Sequence, residues 1–272
     1  MLGANQTFNA LIREATFTKE VLCAGATQIR KANYSTPGVY AQSFSALSLG
    51  LERIGKLCLM LDHYIDNEGR FPDYDYLKNK IGHKLGLLQT RAAQIAEERQ
   101  IDFRFLDNLN YPIYQAILQV LHDYAEGDRY TNINILIGAK QRNDPISAWF
   151  CNVDKYIFDN VVAKKRKLII QENADLIHEM LSRNGVVLHT SETGESIDNH
   201  FEASFRAGMF EAVAPYRQLY VLQIIRYWVE LLWNLGSMAQ SLDRQEVPFF
   251  GEIFGCFYND DIYFRSRKSW NF

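Results

Sequence analysis

Residues 41–65 read AQSFSALSLGLERIGKLCLMLDHYI. Phe44, Leu47, Leu51, Ile54, Cys58, Leu61 and Ile65 recur at alternating steps of three and four, which puts all seven on one stripe of a helix. No proline interrupts the run, and its Leu, Met, Ala, Glu, Lys and Arg favour helix. Gly50 and Gly55 weaken it slightly, and glycine there predicts that another backbone comes close. Glu52 and Lys56 stand one turn apart in the favourable order for a helical ion pair. A helix of this kind needs partners on its apolar stripe, so the chain is expected to be a packed all-α protein.

The rest of the composition agrees. The chain has 272 residues, 47% of them apolar and 22% charged, which is ordinary for a globular protein with ample core. A net charge of −3 gives no whole-surface attraction to nucleic acid and leaves only a local basic patch. Cys23, Cys58, Cys151 and Cys256 lie far apart, without a CxxC pair, so neither a zinc knuckle nor a disulfide framework is expected. Cys58 falls on the apolar stripe and reads as a small core residue. The N-terminus has no basic start followed by an apolar run, so no signal peptide is expected. Tyr220–Gln240 is the most apolar late segment, but Gln223, Arg226, Glu230 and Asn234 argue against a membrane span. The expected compartment is the reduced cytoplasm.

Outward from the central stretch, residues 5–24 read as an amphipathic helix followed by the turn-rich Asn33–Gly38. Pro72 opens a second stripe, Leu77, Ile81, Leu85, Leu88, Ala92 and Ile95. A third helix spans roughly 112–126 and stops at Gly127. Residues 128–144 are polar and turn-rich. Asp144-Pro145 then caps a fourth helix running to about Arg183. Val186–Ile197 suggests a short strand pair. A helix over roughly 198–212 follows, and Pro215 is expected to open a separate one.

No phosphate-binding glycine loop, HExxH, GxSxG or GxGxxG precedes a helix, and the six histidines show no ligand spacing on one helix face, so no metal or cofactor is expected. Lys164–Lys167 fan around their helix and read as a solvated face. The tail from Tyr263 to Trp270 interleaves aromatic and basic side chains, as in single-strand binders, or equally as in a docking tail with buried rings.

Three features occur in order: Glu52 with Lys56, then His83-Lys84-Leu85, then Tyr124 followed by Arg129-Tyr130. Together they resemble the HEPN family over roughly residues 40–183. The resemblance implies an antiparallel up-and-down four-helix bundle over 40–184. Residues 1–39 then form an N-terminal helix and loop, and 185–272 a helical extension packed on the bundle. It further implies a homodimer in a bacterial defence or stress system, with an RNA or nucleotide ligand or a protein partner and no membrane. His83, Lys84 and Arg129 would meet at one end of the bundle, holding a phosphate while Tyr130 stacks on a base. The blander reading has His83 bracing a helix junction and Arg129-Tyr130 pinning two helices together. Ribonuclease members of the family use an Arg, a polar residue and a later His, without metal. The matching residues here are Arg183, Asn184 and His189, which lie across the helix-ending Gly185. The alternatives are therefore a binding protein, a toxin-like metal-independent endoribonuclease, and a structural dimerisation module.

Overall fold

The computed structural model describes residues 5–78, 84–139, 143–182, 185–242 and 246–270. Among the described residues it is all-α apart from one two-residue strand pair, β1 His189–Thr190 and β2 Ser196–Ile197, which pair antiparallel.

Helix α1 (Gln6–Lys31) begins where the Asn5 side chain accepts a hydrogen bond from the Thr7 amide. Helix α2 (Pro37–Asp66) is the central stretch, with proline in its first turn. Phe44, Leu47, Leu51, Ile54, Cys58 and Leu61 are all buried, as the stripe requires, and Ile65 is half-buried. α1 lies antiparallel on α2. A Cβ on Gly50 would stand 2.6 Å from Leu22 Cδ2, and one on Gly25 would stand 2.7 Å from Leu47 Cγ. Ser43 Oγ donates to the Gly25 carbonyl at 3.0 Å across the same seam. Each helix thus presents a glycine to the other's leucine, and α1 belongs to the main core.

Past Asp66 the chain turns back along α2 through the short α3 (Tyr74–Tyr76). It enters α4 (Leu85–Glu98), which runs parallel to α2: Leu88 packs at Gly55, and Arg99 reaches Asp62 and Asp66. This parallel course departs from the up-and-down expectation, because α3 and its neighbours carry the chain back before α4 begins. Helix α5 (Pro112–Glu126) ends at Gly127, whose φ of 143° suits glycine alone. The segment expected to be only turns contains α6 (Thr131–Leu136).

The fourth helix is divided. α7 (Pro145–Trp149) starts with Asp144 Oδ1 accepting from the Ile146 and Ser147 amides. It passes through a π-helical turn at Phe150–Asp154 into α8 (Lys155–Asn160). The chain then breaks before α9 (Lys164–Leu181), where Ala163 is extended at ψ 139°.

α10 (His200–Gln240) runs 41 residues straight through Pro215. The expected stop is a correction: proline removes one helical hydrogen bond, and packing on both sides of it carries the helix through. Before Pro215, Gly208 lies against Ile170 of α9. After it, Arg217 and Gln218 bond the end of α1. Val221 to Leu232 are buried without interruption. Among the described residues, the segment expected as an extension thus supplies a long helix buried through its middle. One core runs from Leu11 to Trp270. α11 (Phe250–Phe254) and α12 (Asp261–Ser266) close it, and Trp270 is fully buried with its amide donating to Thr27 Oγ1 at 2.8 Å. The tail is thus a docking tail. Among the described residues, no helix is long and apolar enough to cross a membrane.

Candidate functional site

A cleft of about 690 Å³ lies between the start of α1, the middle of α2 and residues 71–78. It exists because the chain doubles back along α2 without packing tightly against α1. Leu11, Leu57, Met60, Phe71 and Leu77 make its apolar wall, and Glu14, Arg53, Lys56 and Lys78 its charged rim. Arg53 Nη1 holds both carboxylate oxygens of Glu14 at 2.7 Å, and its guanidinium lies 4.4 Å from the centre of the Phe17 ring. Lys56 Nζ donates to Glu52 Oε1 at 2.6 Å, the helical pair read from the sequence. Lys78 is exposed, and Tyr74 is 75% exposed beside it on the lining. A site of this size and make-up suits an organic ligand with a flat apolar part and an anionic group.

His83 and Arg183 lie outside the described residues. Lys84 is exposed at the N-cap of α4, and Arg129 and Tyr130 are exposed after α5, the Arg129 guanidinium 5.0 Å from the Tyr130 ring centre. Leu88 of α4 packs at Gly55 of α2, Tyr124 of α5 bonds Ser45 with 2.8 Å between hydroxyls, and Gly86 and His122 line one opening between α4 and α5. His189 is exposed on β1, its ring edge-on to Tyr34 at 5.7 Å. Lys164, Lys165 and Arg166 are exposed, while Lys167 donates to the Asp159 carbonyl at 2.8 Å. Among the described residues, no group of three His, Cys, Asp or Glu side chains is placed to hold a metal ion.

Sequence reasoning missed a buried ionic cluster where α1, α2, α7 and α10 converge. Arg217 Nη2 donates to Asp154 Oδ2 at 2.9 Å, and Nη1 donates to the Ala32 carbonyl at 2.8 Å. Trp149 Nε1 donates to Asp154 Oδ1 at 3.0 Å, and the Tyr40 hydroxyl to Oδ2 at 3.3 Å. All four side chains are sealed from solvent. Burial pushes the Asp154 carboxyl up to about 6, against the pull of Arg217. Close by, Glu192 is raised by burial and paired with Arg206 at 2.9 Å. With no solvent access, Arg217 and Asp154 serve architecture: they tie the α1 C-terminus to the π-turn. Farther along α10, Gln223 bonds the Tyr114 hydroxyl and Asp261, Arg226 reaches the Asn259 carbonyl and Asp261, and Glu230 accepts from the Arg104 amide. The signal was present in the sequence, because charged residues inside so apolar a helix must be paired. The fold also brings Cys23 and Cys256 near one another, and both cysteines are free.

Neither a protein-family model, nor a curated protein, nor a solved structure matches this chain. The HEPN resemblance therefore rests on the residues quoted for it.

Proposed function

We propose that this protein binds a nucleotide, and that the cleft between α1, α2 and residues 71–78 is the site. The observation that carries this reading is the juxtaposition, on one lining, of an aromatic and aliphatic wall with Lys56 and Lys78. The exposed Tyr74 ring suits stacking on a base, and the lysines of the rim suit a phosphate. Glu14, anchored by Arg53, offers a fixed acceptor for an amino group on the base edge. This keeps the nucleotide ligand implied by the HEPN resemblance and moves it from the bundle end to the cleft.

Calorimetric titration with adenine and guanine nucleotides tests it. Binding should saturate at one site per chain, and both Lys78→Ala and Tyr74→Ala should weaken it roughly tenfold. Arg129→Ala should leave it unchanged. If Arg129→Ala abolishes binding while Lys78→Ala does not, the site is the bundle end. RNA cleavage that survives EDTA and disappears in both Arg183→Ala and His189→Ala would replace this reading with the endoribonuclease.

A further inference from the structure

Two cysteines far apart in the sequence meet beside the C-terminal tail. Cys23 lies in α1, and Cys256 in the turn after α11; both are free thiols. The side chains around them hold the two segments together. The Thr27 hydroxyl, one turn beyond Cys23, donates to the Cys23 carbonyl at 2.8 Å and accepts from the Trp270 amide at 2.8 Å. The Trp270 ring stacks at 5.8 Å on that of Phe257, the residue after Cys256. Thr27, Trp270 and Phe257 thus carry Cys256 to Cys23, and each thiol acts on the acidity of the other.

The members of the pair differ in access and in charge. Cys23 is sealed in the core, whereas Cys256 is half-buried beside the exposed Gly255, where a Cβ would meet open space. A small reagent therefore reaches Cys256 first. Cations stand by the pair. Lys19 is one turn before Cys23 on the same face of α1, and the Arg267 guanidinium lies 5.1 Å from the centre of the Trp270 ring. The Cys23 thiol, Lys19 and Arg267 hold the Cys256 thiol below its ordinary value, against its burial. Cys256 and burial push the Cys23 thiol up. The thiolate is the nucleophile, so the accessible member is also the reactive one. An accessible, acidic cysteine with a second cysteine beside it is the arrangement that turns an oxidant into a reversible disulfide.

We propose that Cys256 is a peroxide-reactive site and that Cys23 resolves it, so that hydrogen peroxide converts the pair to a disulfide. The Cys256 sulfur attacks one peroxide oxygen and the O–O bond breaks. The departing oxygen takes up a proton and leaves as water, and Cys256 becomes a sulfenic acid. With Cys256 neutral, Cys23 gives up its proton more readily. Its sulfur attacks the Cys256 sulfur, the S–O bond breaks, and a second water leaves. Two thiols and one peroxide thus become one disulfide and two waters, and a dithiol reductant reverses the change. The new bond joins α1 to the turn before the tail. It lies outside the cleft, whose lining on α1 ends at Glu14.

Hydrogen peroxide added to the reduced full-length chain, followed by thiol counting and peptide mass spectrometry, tests it. The wild type should fall from four thiols to two, with Cys23 and Cys256 in one disulfide-linked peptide pair, and dithiothreitol should restore all four. Cys256 should react roughly tenfold faster or more than Cys151, the exposed control. Cys23→Ala should leave on Cys256 a sulfenic acid that dimedone traps, and Cys256→Ser should leave Cys23 unmodified. Lys19→Gln keeps both thiols and should move the pH midpoint of Cys256 alkylation upward, which the loss of a merely structural lysine would not do. Several results would each overturn the proposal: Cys256 no faster than Cys151, wild-type Cys256 passing to sulfinic acid without a disulfide, a disulfide that leaves Cys23 out, or an unchanged midpoint in Lys19→Gln.

Discussion

Arg217→Met tests whether the buried ionic cluster holds the helices in place. Methionine keeps the apolar stem of the side chain and removes the guanidinium. Asp154 then loses its counter-ion at 2.9 Å, and the Ala32 carbonyl loses a donor at 2.8 Å. Removing one partner of a buried ion pair costs about 3–5 kcal/mol, because the remaining charge stays buried. The orphaned carbonyl adds about 1 kcal/mol or more. Asp154 limits the total by taking up a proton, toward which burial already pushes it. A loss of about 4–5 kcal/mol is thus expected, a large part of the roughly 5–15 kcal/mol that holds a typical fold together. At about 2–4 °C per kcal/mol for a chain near this size, the thermal midpoint should fall by roughly 10–15 °C. Circular dichroism melts and urea titrations of the wild type, Arg217→Met, and Arg217→Met with Asp154→Asn read it directly. The double variant should be more stable than Arg217→Met alone, because no buried carboxyl is left without its cation. A midpoint within about 3 °C of wild type for Arg217→Met would refute the reasoning and mean that water reaches the cluster.

Asp154 also predicts a pH dependence. Its folded-state value of about 6 lies above the ordinary carboxyl value of 3.8, so the native state binds the proton first as pH falls. Its contribution is full below the ordinary value and is lost as pH rises through about 6. The wild type should therefore gain stability relative to Asp154→Asn between about pH 7 and pH 5 in parallel urea titrations; a constant difference would show that Asp154 titrates normally. Trp270→Ala should cost about 3–5 kcal/mol, since the ring is sealed against Phe257, Tyr263 and Phe264; a cost under about 1 kcal/mol in urea unfolding would mean that the tail detaches readily.

Much of the fold is legible where the determining physics is local. The three-and-four spacing of Phe44 to Leu61 specifies the buried face of α2, and glycine at position 50 marks where α1 comes close. Asp144-Pro145 and Gly127 mark a helix start and a helix stop, because capping and positive φ depend on the residue itself. Pro215 and the break at 161–163 are not legible, for the same reason in reverse. Proline's cost is local, but the contacts that outweigh it come from α9 and α1, far away in sequence. No proline or glycine announces the break before α9.

The site was hardly legible at all. Each pair among Glu14–Arg53 and Glu52–Lys56 is visible or inferable one residue at a time, but the cleft exists only because residues 71–78 return along α2. What the sequence by itself determined is therefore helical identity and the faces to be buried, because both follow from spacing at 3.6 residues per turn. Direction, neighbour and enclosure were decided only in three dimensions. There, the buried Arg217 had to find Asp154 and the carbonyls of α1, since an unpaired charge in that core would cost more than the cluster itself.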